Sequence, residues 1–492
     1  MKKLFAGIGV VLFVAGCYFF PYSTDIVSQK YNASRMQEDF SVFRSILEKG
    51  HPGLYTYMSK RDMDQCFDSI YNTIQGASDV RAFHEKLSYI VDKIGCSHTN
   101  LYLPKDYYDT ILKRSNFFPV PVIYVDGGLY INSDMWDIPV GAHIISINGN
   151  PAQEIMRRIE NYNVPDGRNK NYSLSQAATE FAYNYFLAYG PSATFSIEYA
   201  SPGSPKKETA KVSAITLEKS LDDYNYYAYY YYPSEVGYDF EIVDSIHTAI
   251  LTLRSFSYST ASTFAAYKNF LNNSFNLLKN EDEVNNLIID CRNNTGGEYE
   301  NVFLLYRFLS REAFREVDSA TVRFDQTPYP QYLEQGYAAT EKPALDSMIK
   351  HEFCRLPNGN SAMIEDENTL RRPHPMAFNG HVYVITNNNV LSAASNFVAM
   401  MKDSRRGTIV GEETGGGYNA HNGFTRVLYK LPTTGIQLEF SAVHVQQYLK
   451  HPQLNKYGVQ PDYLVGTTLN DVTENRDPQL SFVINKLIGP QQ

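Results

Sequence analysis

Basic charge, cysteine and charged residues in general are all scarce in this chain of 492 residues. Its formal net charge of −9 disfavours a nucleic-acid partner, because nucleic-acid binding depends on a basic surface. The five cysteines show no spacing typical of metal ligands. Charged residues make up 20% of the chain and hydrophobic residues 43%, a composition typical of globular rather than disordered proteins. The length exceeds one ordinary core, so we expect two or three domains.

The N-terminus has the pattern of an export signal. Lys2 and Lys3 precede an apolar run over residues 4–14, which is short for a membrane-spanning helix and typical of a signal peptide. The next residues complete the bacterial lipobox VAGC, so that Cys17 would become the lipidated first residue of the processed chain. An uncleaved signal anchor is the alternative. We therefore expect a lipoprotein in the periplasm or at the cell surface, or else a secreted or signal-anchored protein.

A strand that ends in paired glycines lies in the second half of the chain. Residues 284–297 read VNNLIIDCRNNTGG, and the apolar run in this segment is typical of a buried strand. Gly296 and Gly297 allow a sharp turn that brings backbone N–H groups close to a ligand. Fixed amide donors are what an oxyanion hole requires, although a Gly-Gly pair is also common in ordinary turns.

A second strand leads into a helix that begins with a serine. Residues 381–403 read HVYVITNNNVLSAASNFVAMMKD, a β-rich run followed by a loop and by a helix that starts near Ser392. The unpaired amides and the dipole of a helix N-terminus favour developing negative charge. This position suits a nucleophile whose oxyanion is held by the amide of Ala393. A plain N-cap serine is the alternative.

Four segments together resemble the tail-specific, or C-terminal-processing, serine proteases, which share a catalytic core with tricorn protease. The segments are IIDCRNNTGG, NNNVLSAASNF, GTIVGEETGGG from Gly407 and YGVQPDYLV from Tyr457. Their order and spacing over roughly 180 residues are more specific than any one segment alone. The resemblance implies that Ser392 is the nucleophile, that unfolded or tail-exposed polypeptides are the substrates, and that the reaction uses no metal or cofactor.

The resemblance also indicates a general base early in the chain. The residues CSHT follow a predicted helix that ends at Gly95. Tricorn-like members have a serine–histidine pair at this point, and Ser97 and His98 match it. His98 is therefore expected to accept the proton of Ser392, with Ser97 as an orienting or substrate-side partner. Without the resemblance, a histidine after a helix would be interpreted as a cap or a surface residue.

Two positions depart from the family pattern. C-terminal-processing members carry a lysine in a Thr-x-Gly-Lys-Gly segment, and Gly417 stands where that lysine would be, which favours the histidine-based mechanism. Tricorn-like members also carry a late glutamate, and the matching position holds Asn455. An asparagine could orient a histidine but would stabilise an imidazolium less well. Glu412, Glu413 and Glu439 are alternative candidates for this third partner.

We expect an α/β (α+β multi-domain) architecture. The predicted parts are a signal peptide or anchor (1–23), an N-terminal helical domain (24–115), a PDZ-like β-rich domain with a following helix and strands (116–215), and an α/β protease core of the ClpP/crotonase-like type (216–492). In the core, a strand over residues 248–253 and a helix over residues 264–278 precede the glycine-ended strand.

The PDZ-like assignment rests on residues 138–149, IPVGAHIISING, which resemble the PDZ-like module of this family. Such a fold binds an extended peptide by adding it to a sheet edge. The alternative is a domain that only packs on the core.

We therefore predict a serine endopeptidase that acts on polypeptides outside the cytoplasm. A catalytically inactive peptide- or lipophile-binding protein on the same fold is the main alternative, because a fold alone does not determine function. Hydrolysis of a non-peptide ester by the same residues is a third reading.

Overall fold

The computed structural model describes residues 25–227, 237–281, 283–365, 368–453 and 457–489. The predicted signal segment with Cys17, and the candidate Asn455, lie outside the described residues. Within the described ranges, no helix is both long enough and apolar enough to cross a membrane.

Three capped helices dominate the N-terminal part, as the sequence predicts. Each begins after a polar residue whose side chain accepts a backbone N–H of the first turn, and the third ends at Gly95, which adopts a left-handed conformation with φ 69°. The elements are β1 (Lys30–Tyr31), α1 (Ala33–Gly50), α2 (Lys60–Asn72), β2 (Ser78–Asp79), α3 (Val80–Ile94), β3 (Thr99–Tyr102) and α4 (Lys105–Leu112).

An antiparallel sheet with its own apolar core follows. Its elements are β4 (Val122–Val125), β5 (Gly128–Ile131), β6 (His143–Ile147), β7 (Asn150–Pro151), α5 (Ala152–Ile159), α6 (Lys170–Thr179), α7 (Phe181–Tyr189), β8 (Thr194–Ala200), β9 (Lys207–Ser213) and α8 (Leu217–Tyr227). The strand order is β4-β5-β6-β8-β9, with β7 paired to β6, so β4 lies at one edge of the sheet beside α6.

The rest of the chain builds two larger sheets. Its elements are β10 (Tyr238–Val243), β11 (Thr248–Leu253), α9 (Ala261–Asn280), β12 (Asn286–Asp290), α10 (Tyr299–Arg307), β13 (Phe314–Arg315), β14 (Val317–Val322), α11 (Gln335–Glu352), β15 (Phe353–Arg355), β16 (Ser361–Met363), β17 (Leu370–Arg371), β18 (His381–Thr386), α12 (Ser392–Asp403), β19 (Thr408–Gly411), β20 (Ala420–Lys430), β21 (Gln437–Gln447), β22 (Tyr463–Leu464), α13 (Leu469–Thr473) and α14 (Pro478–Phe482).

The first of these sheets has the order β10-β11-β12-β18-β19-β22, and its strands from β11 to β22 run parallel. Helices α9, α10 and α12 cover one face with a continuous apolar core. The predicted strand–helix–strand order is confirmed, since β11 has the predicted bounds and α9 contains the predicted helix. Parallel strands place their carboxyl ends at one edge, where α/β sheets bind ligands.

The second sheet joins the N-terminal part to the core. Its order is β15-β16-β14-β21-β20, and β3 pairs antiparallel with β21, placing Thr99 opposite Phe440. Helices α1 and α3 bury Phe43 and Leu87 in the same apolar core as strands β20 and β21. The predicted N-terminal helical segment therefore shares its core with this sheet, and the start of β3 is fixed to the body of the protein.

A buried ion network lies at the carboxyl end of β12. Arg292 donates to both Asp290 oxygens at 2.9 and 2.8 Å and to both Asp477 oxygens at 2.8 and 2.7 Å, and Arg254 also donates to Asp290. Burial alone would raise the pKa of the Asp290 carboxyl, but the two guanidinium groups outweigh it and hold that pKa well below its usual range. The network ties the carboxyl edge of the sheet to helix α14, which begins directly after Asp477.

We expect Asp290→Asn to lower the free energy of unfolding by about 3–5 kcal/mol, because the buried Arg292 and the half-buried Arg254 guanidinium groups lose the carboxylate they share. Urea unfolding followed by circular dichroism measures the change. Asp109→Asn is the matched control, since Asp109 pairs with Lys105 at a solvent-exposed site and its loss should change the free energy of unfolding far less. Equal losses in the two variants would contradict the role assigned to the network.

Candidate active site

The loops after β12 and β18 meet because these two strands are parallel neighbours. Asp290 lies opposite Ile385 in their register, so each chain leaves the sheet at the same edge. The Leu391 amide then donates to the Asn294 carbonyl at 3.1 Å, which fixes one loop against the other. This contact places the paired glycines beside the start of helix α12.

Ser392 occupies the first position of α12 in a strained backbone conformation. Its φ is 49°, in the left-handed region that residues other than glycine rarely adopt. Such strain persists only where the surroundings impose it, and it is common at functional sites. Here it forms a sharp strand-to-helix turn, a geometry that presents a serine hydroxyl at the top of a sheet. The side chain is half-buried.

His98 reaches Ser392 from the opposite side of the cleft. The left-handed Gly95 ends α3, and the chain then turns through Ser97 before β3 begins at Thr99. The His98 Nε2 atom lies 3.1 Å from the Ser392 Oγ atom, within hydrogen-bond distance. The structure therefore brings together the two side chains that the sequence analysis assigns as base and nucleophile.

A relay of hydrogen bonds continues behind the imidazole. The Ser97 hydroxyl lies 3.1 Å from His98 Nδ1 and donates to Asp166 Oδ1 at 2.9 Å, and the Ser97 amide donates to the same oxygen at 2.8 Å. One placement of hydrogens satisfies the whole chain: Nδ1–H donates to Ser97, Ser97 donates to Asp166, and Nε2 accepts from Ser392. Ser97 is thus an orienting partner of His98 through its hydroxyl.

Asp166 is a site residue that the sequence analysis misses. It is 2% exposed and lies in the turn after a short 3-10 helix, Glu160–Tyr162. Its amide donates to the Gly415 carbonyl at 3.0 Å, and the next amide, of Gly167, donates to the Gly95 carbonyl at 2.9 Å. These bonds hold the carboxylate against Ser97. The local sequence VPDG is typical of an ordinary turn, so no motif or spacing identifies Asp166 as a site residue.

The three glutamates considered as third partner are engaged elsewhere. Glu413 accepts the Gly458 amide at 2.8 Å, Glu439 accepts the Tyr102 hydroxyl at 2.9 Å, and Glu412 lies 3.5 Å from the Asn388 side chain. The two ring nitrogens of His98 face Ser97 and Ser392 instead. Among the described residues, the buried carboxylate behind His98 is therefore that of Asp166 and not of a glutamate.

The amide of Gly296 does not point into the cleft as an oxyanion donor. It donates to Asn294 Oδ1 at 2.9 Å, which corrects the prediction for this residue. Gly296 matters instead through its missing side chain, since a Cβ atom there would lie 2.7 Å from the Ser392 Cβ atom. The amides of Gly297 and Ala393 have no hydrogen-bond partner within the described part of the chain. They are the two donors left for an oxyanion.

Burial favours the neutral form of the imidazoles in this region. Burial lowers the pKa of His98; the Asp166 carboxylate opposes this shift, and the Arg426 charge adds to it. The His421 ring lies 6.1 Å from the His98 ring, and burial holds its pKa well below the usual value. A neutral His98 can accept a proton near neutral pH, as a general base must.

A polar cavity of about 420 Å³ lies at the same edge of the sheet. Arg254, Asn293, Asn387 and Glu412, which follow four successive core strands, line one side. The edge strand β4 and helix α6 line the other side. An extended chain in this cavity would lie between the β4 edge of its sheet and the loops that follow β12 and β18.

Comparison with known proteins identifies a family domain in the second half of the chain. Residues 247–465 match the family model Peptidase family S41. This match contains Ser392 and the paired glycines, whereas Ser97, His98 and Asp166 lie before it. No curated protein sequence matches the chain significantly.

Solved structures show the same fold over nearly the whole chain. Mature CPAF is 14% identical, with 93% of this chain and 96% of that chain covered and a TM-score of 0.59. CPAF complexed with lactacystin has the same identity, coverages of 93% and 98% and a TM-score of 0.61. The photosystem II D1 C-terminal processing protease is a more distant likeness at 14% identity, coverages of 88% and 93% and a TM-score of 0.40. The chain therefore contains a peptidase family S41 domain over residues 247–465, which identifies it as a serine-type peptidase.

Proposed function

We propose that this protein is a serine endopeptidase that cleaves unfolded or tail-exposed polypeptides outside the cytoplasm, with Ser392 as nucleophile and His98 as general base. The observation that carries the proposal is the 3.1 Å contact between His98 Nε2 and Ser392 Oγ, backed by the Ser97–Asp166 relay. A nucleophile that is hydrogen-bonded to a base, which is itself hydrogen-bonded to an orienting group, is the arrangement that acyl transfer requires.

In the first step, Ser392 Oγ attacks the scissile carbonyl as its proton passes to His98 Nε2. The resulting imidazolium is stabilised through Ser97 by the buried Asp166 carboxylate. The amides of Gly297 and Ala393 supply hydrogen bonds to the oxyanion, in a position where fixed donors are worth more than in water.

Collapse of the tetrahedral intermediate breaks the peptide bond, and His98 gives its proton to the leaving amine. A water molecule then attacks the acyl-enzyme with the same imidazole as base, and the second collapse releases the acid product and regenerates Ser392. Every proton in this cycle passes through His98 Nε2, so the hydrogen on Nδ1 must stay fixed. The bond from Nδ1 to Ser97 provides that constraint.

The polar cavity and the β4 edge support polypeptides as substrates rather than small esters. An extended peptide can pair with an open strand edge through its backbone, without a particular side-chain sequence. Strand β4 offers such an edge beside the loops that lead to Ser392. A folded substrate would have no free strand to offer, so the arrangement favours unfolded segments and chain ends.

The proposed location outside the cytoplasm rests on the N-terminal sequence. Two lysines, a short apolar run and the lipobox ending in Cys17 form the pattern of a lipoprotein signal. A lipid on Cys17 would hold the peptidase at a membrane surface while residues 25–489 fold outside the bilayer.

Ser392→Ala is expected to reduce kcat for an unfolded protein substrate by about 10⁴-fold or more, because no other hydroxyl replaces the nucleophile. Fluorophosphonate labelling should disappear in the same variant. Ser404→Ala, at the residue directly after the same helix, is the control and should keep full activity and labelling. Labelling of Ser392 without any peptide hydrolysis would favour ester substrates, and no labelling at all would favour a binding protein.

Asp166→Asn is expected to lower kcat by about 10²–10⁴-fold with a smaller change in KM, because the relay loses the charge that stabilises the imidazolium. The carboxylate raises the pKa of His98, so its removal should also move the acid limb of the kcat/KM profile to lower pH. In the wild type, that limb should already lie below the ordinary histidine value of 6.5 because burial dominates. An unchanged pH profile would show that Asp166 acts only on folding.

Cys17→Ala is expected to abolish membrane attachment while leaving peptidase activity intact, because the lipid would be attached to this thiol. Metabolic labelling with a radioactive fatty acid and cell fractionation measure the change. Cys354→Ala, at an exposed cysteine, is the control and should remain labelled. Fatty-acid labelling that persists in the Cys17 variant would refute the lipoprotein assignment.

A further inference from the structure

Three potential metal ligands converge on the side of His98 that faces away from Ser392. The Cys96 sulfur, an imidazole nitrogen of His98 and a carboxylate oxygen of Asp166 all lie within 4.8 Å of one another. Across the described part of the chain, this is the only group of three or more cysteine, histidine or acidic side chains with ligand atoms so close together.

The Asp166 carboxylate can accept a further hydrogen bond or ligand at this point. Its Oδ1 atom accepts both bonds from Ser97, whereas its buried Oδ2 atom has no hydrogen-bond partner. Because the residue is 2% exposed, that oxygen also lacks contact with bulk water. A buried acceptor without a partner is costly, and a bound cation is one way to satisfy it.

We propose that Cys96, His98 and Asp166 form an inhibitory binding site for a thiophilic divalent cation such as Zn²⁺. Thiolate, imidazole and carboxylate are the ligands that Zn²⁺ prefers in proteins, with bonds of about 2.0–2.3 Å. Binding requires the Cys96 thiol to lose its proton to solvent and involves no transfer of electrons. The inhibition, though not the binding, rests on the proposed function.

A cation at this site would inhibit the reaction because the two nitrogens of the neutral His98 imidazole share one hydrogen. Asp166 lies on the Nδ1 side, because the Ser97 hydroxyl contacts both His98 Nδ1 and the carboxylate. A cation that takes the Nδ1 lone pair forces the ring hydrogen onto Nε2, the atom that faces Ser392. A protonated Nε2 cannot accept the hydroxyl proton, so the nucleophile is no longer activated.

The site is partly open to solvent on the side of Ser97 and His98. Ser97 and His98 are both half-buried, whereas the sulfur behind them is buried and contacts the Asn422 side chain at 3.1 Å. Cys96 takes no part in the proposed reaction, so its replacement separates metal binding from catalysis. The remaining described cysteines lie apart from this group, because none of them joins the cluster of ligand atoms.

The test uses the full chain, Zn²⁺ for inhibition and Co²⁺ as a spectroscopic probe. We expect one equivalent of Zn²⁺ to reduce peptide hydrolysis at least tenfold, with activity restored by a chelator. Co²⁺ should give a thiolate-to-metal charge-transfer band. Cys96→Ala should keep basal hydrolysis, require at least tenfold more Zn²⁺ for inhibition and lose the band, whereas Cys354→Ala should behave as the wild type.

If Cys96→Ala does not fold, Cys96→Ser and Asp166→Asn replace it, with Co²⁺ affinity as the readout, and each should bind at least tenfold more weakly. A Co²⁺ band that persists without Cys96, or Zn²⁺ inhibition that is equal with and without it, would overturn the proposal. A Cys96-dependent band in a protein that hydrolyses no peptide would support the site and refute the proposed function.

Discussion

The contact between His98 and Ser392 joins positions 294 residues apart in the chain, and the proposed chemistry depends on it. Two pairings hold the contact in place. Strand β3 is paired with β21, which fixes the backbone immediately after His98, and β12 is paired with β18, which fixes the strand that leads to Ser392. Helices α1 and α3 share a core with the second sheet, so the segment that carries the imidazole is packed against that sheet.

The proposed catalytic groups come from three separate stretches of sequence. The family S41 domain, residues 247–465, contains the proposed nucleophile and the proposed amide donors. The proposed base and its serine partner follow α3, and the carboxylate comes from the turn that precedes α6. That turn is bonded at one end to Gly95 and at the other to Gly415, so it bridges the N-terminal helices and the core. The site is therefore complete only when all three parts are folded against one another.

Local signals made much of the fold predictable, and long-range contacts explain what was not. Helix ends at glycines, the strand over residues 248–253 and the serine at the start of α12 each depend on a few neighbouring residues. Asp166 does not, because its role comes from backbone bonds to residues far away in the chain. The hydrogen bond from the Gly296 amide to Asn294 could not be predicted either, because the sequence does not show whether an amide faces a nearby side chain or an open cleft. The position of His98 was available only through family resemblance.

The backbone conformation at position 392 and the proposed reaction favour different residues. At φ 49°, glycine would be the residue most compatible with the local conformation, because it has no Cβ atom to clash. Glycine has no hydroxyl, so the residue that best suits the turn could never attack a carbonyl. The protein thus keeps a mildly unfavourable side chain at this one position, and the rest of the fold must be stable enough to compel it. Selection for thermal stability alone would therefore favour glycine at position 392 and would remove the hydroxyl.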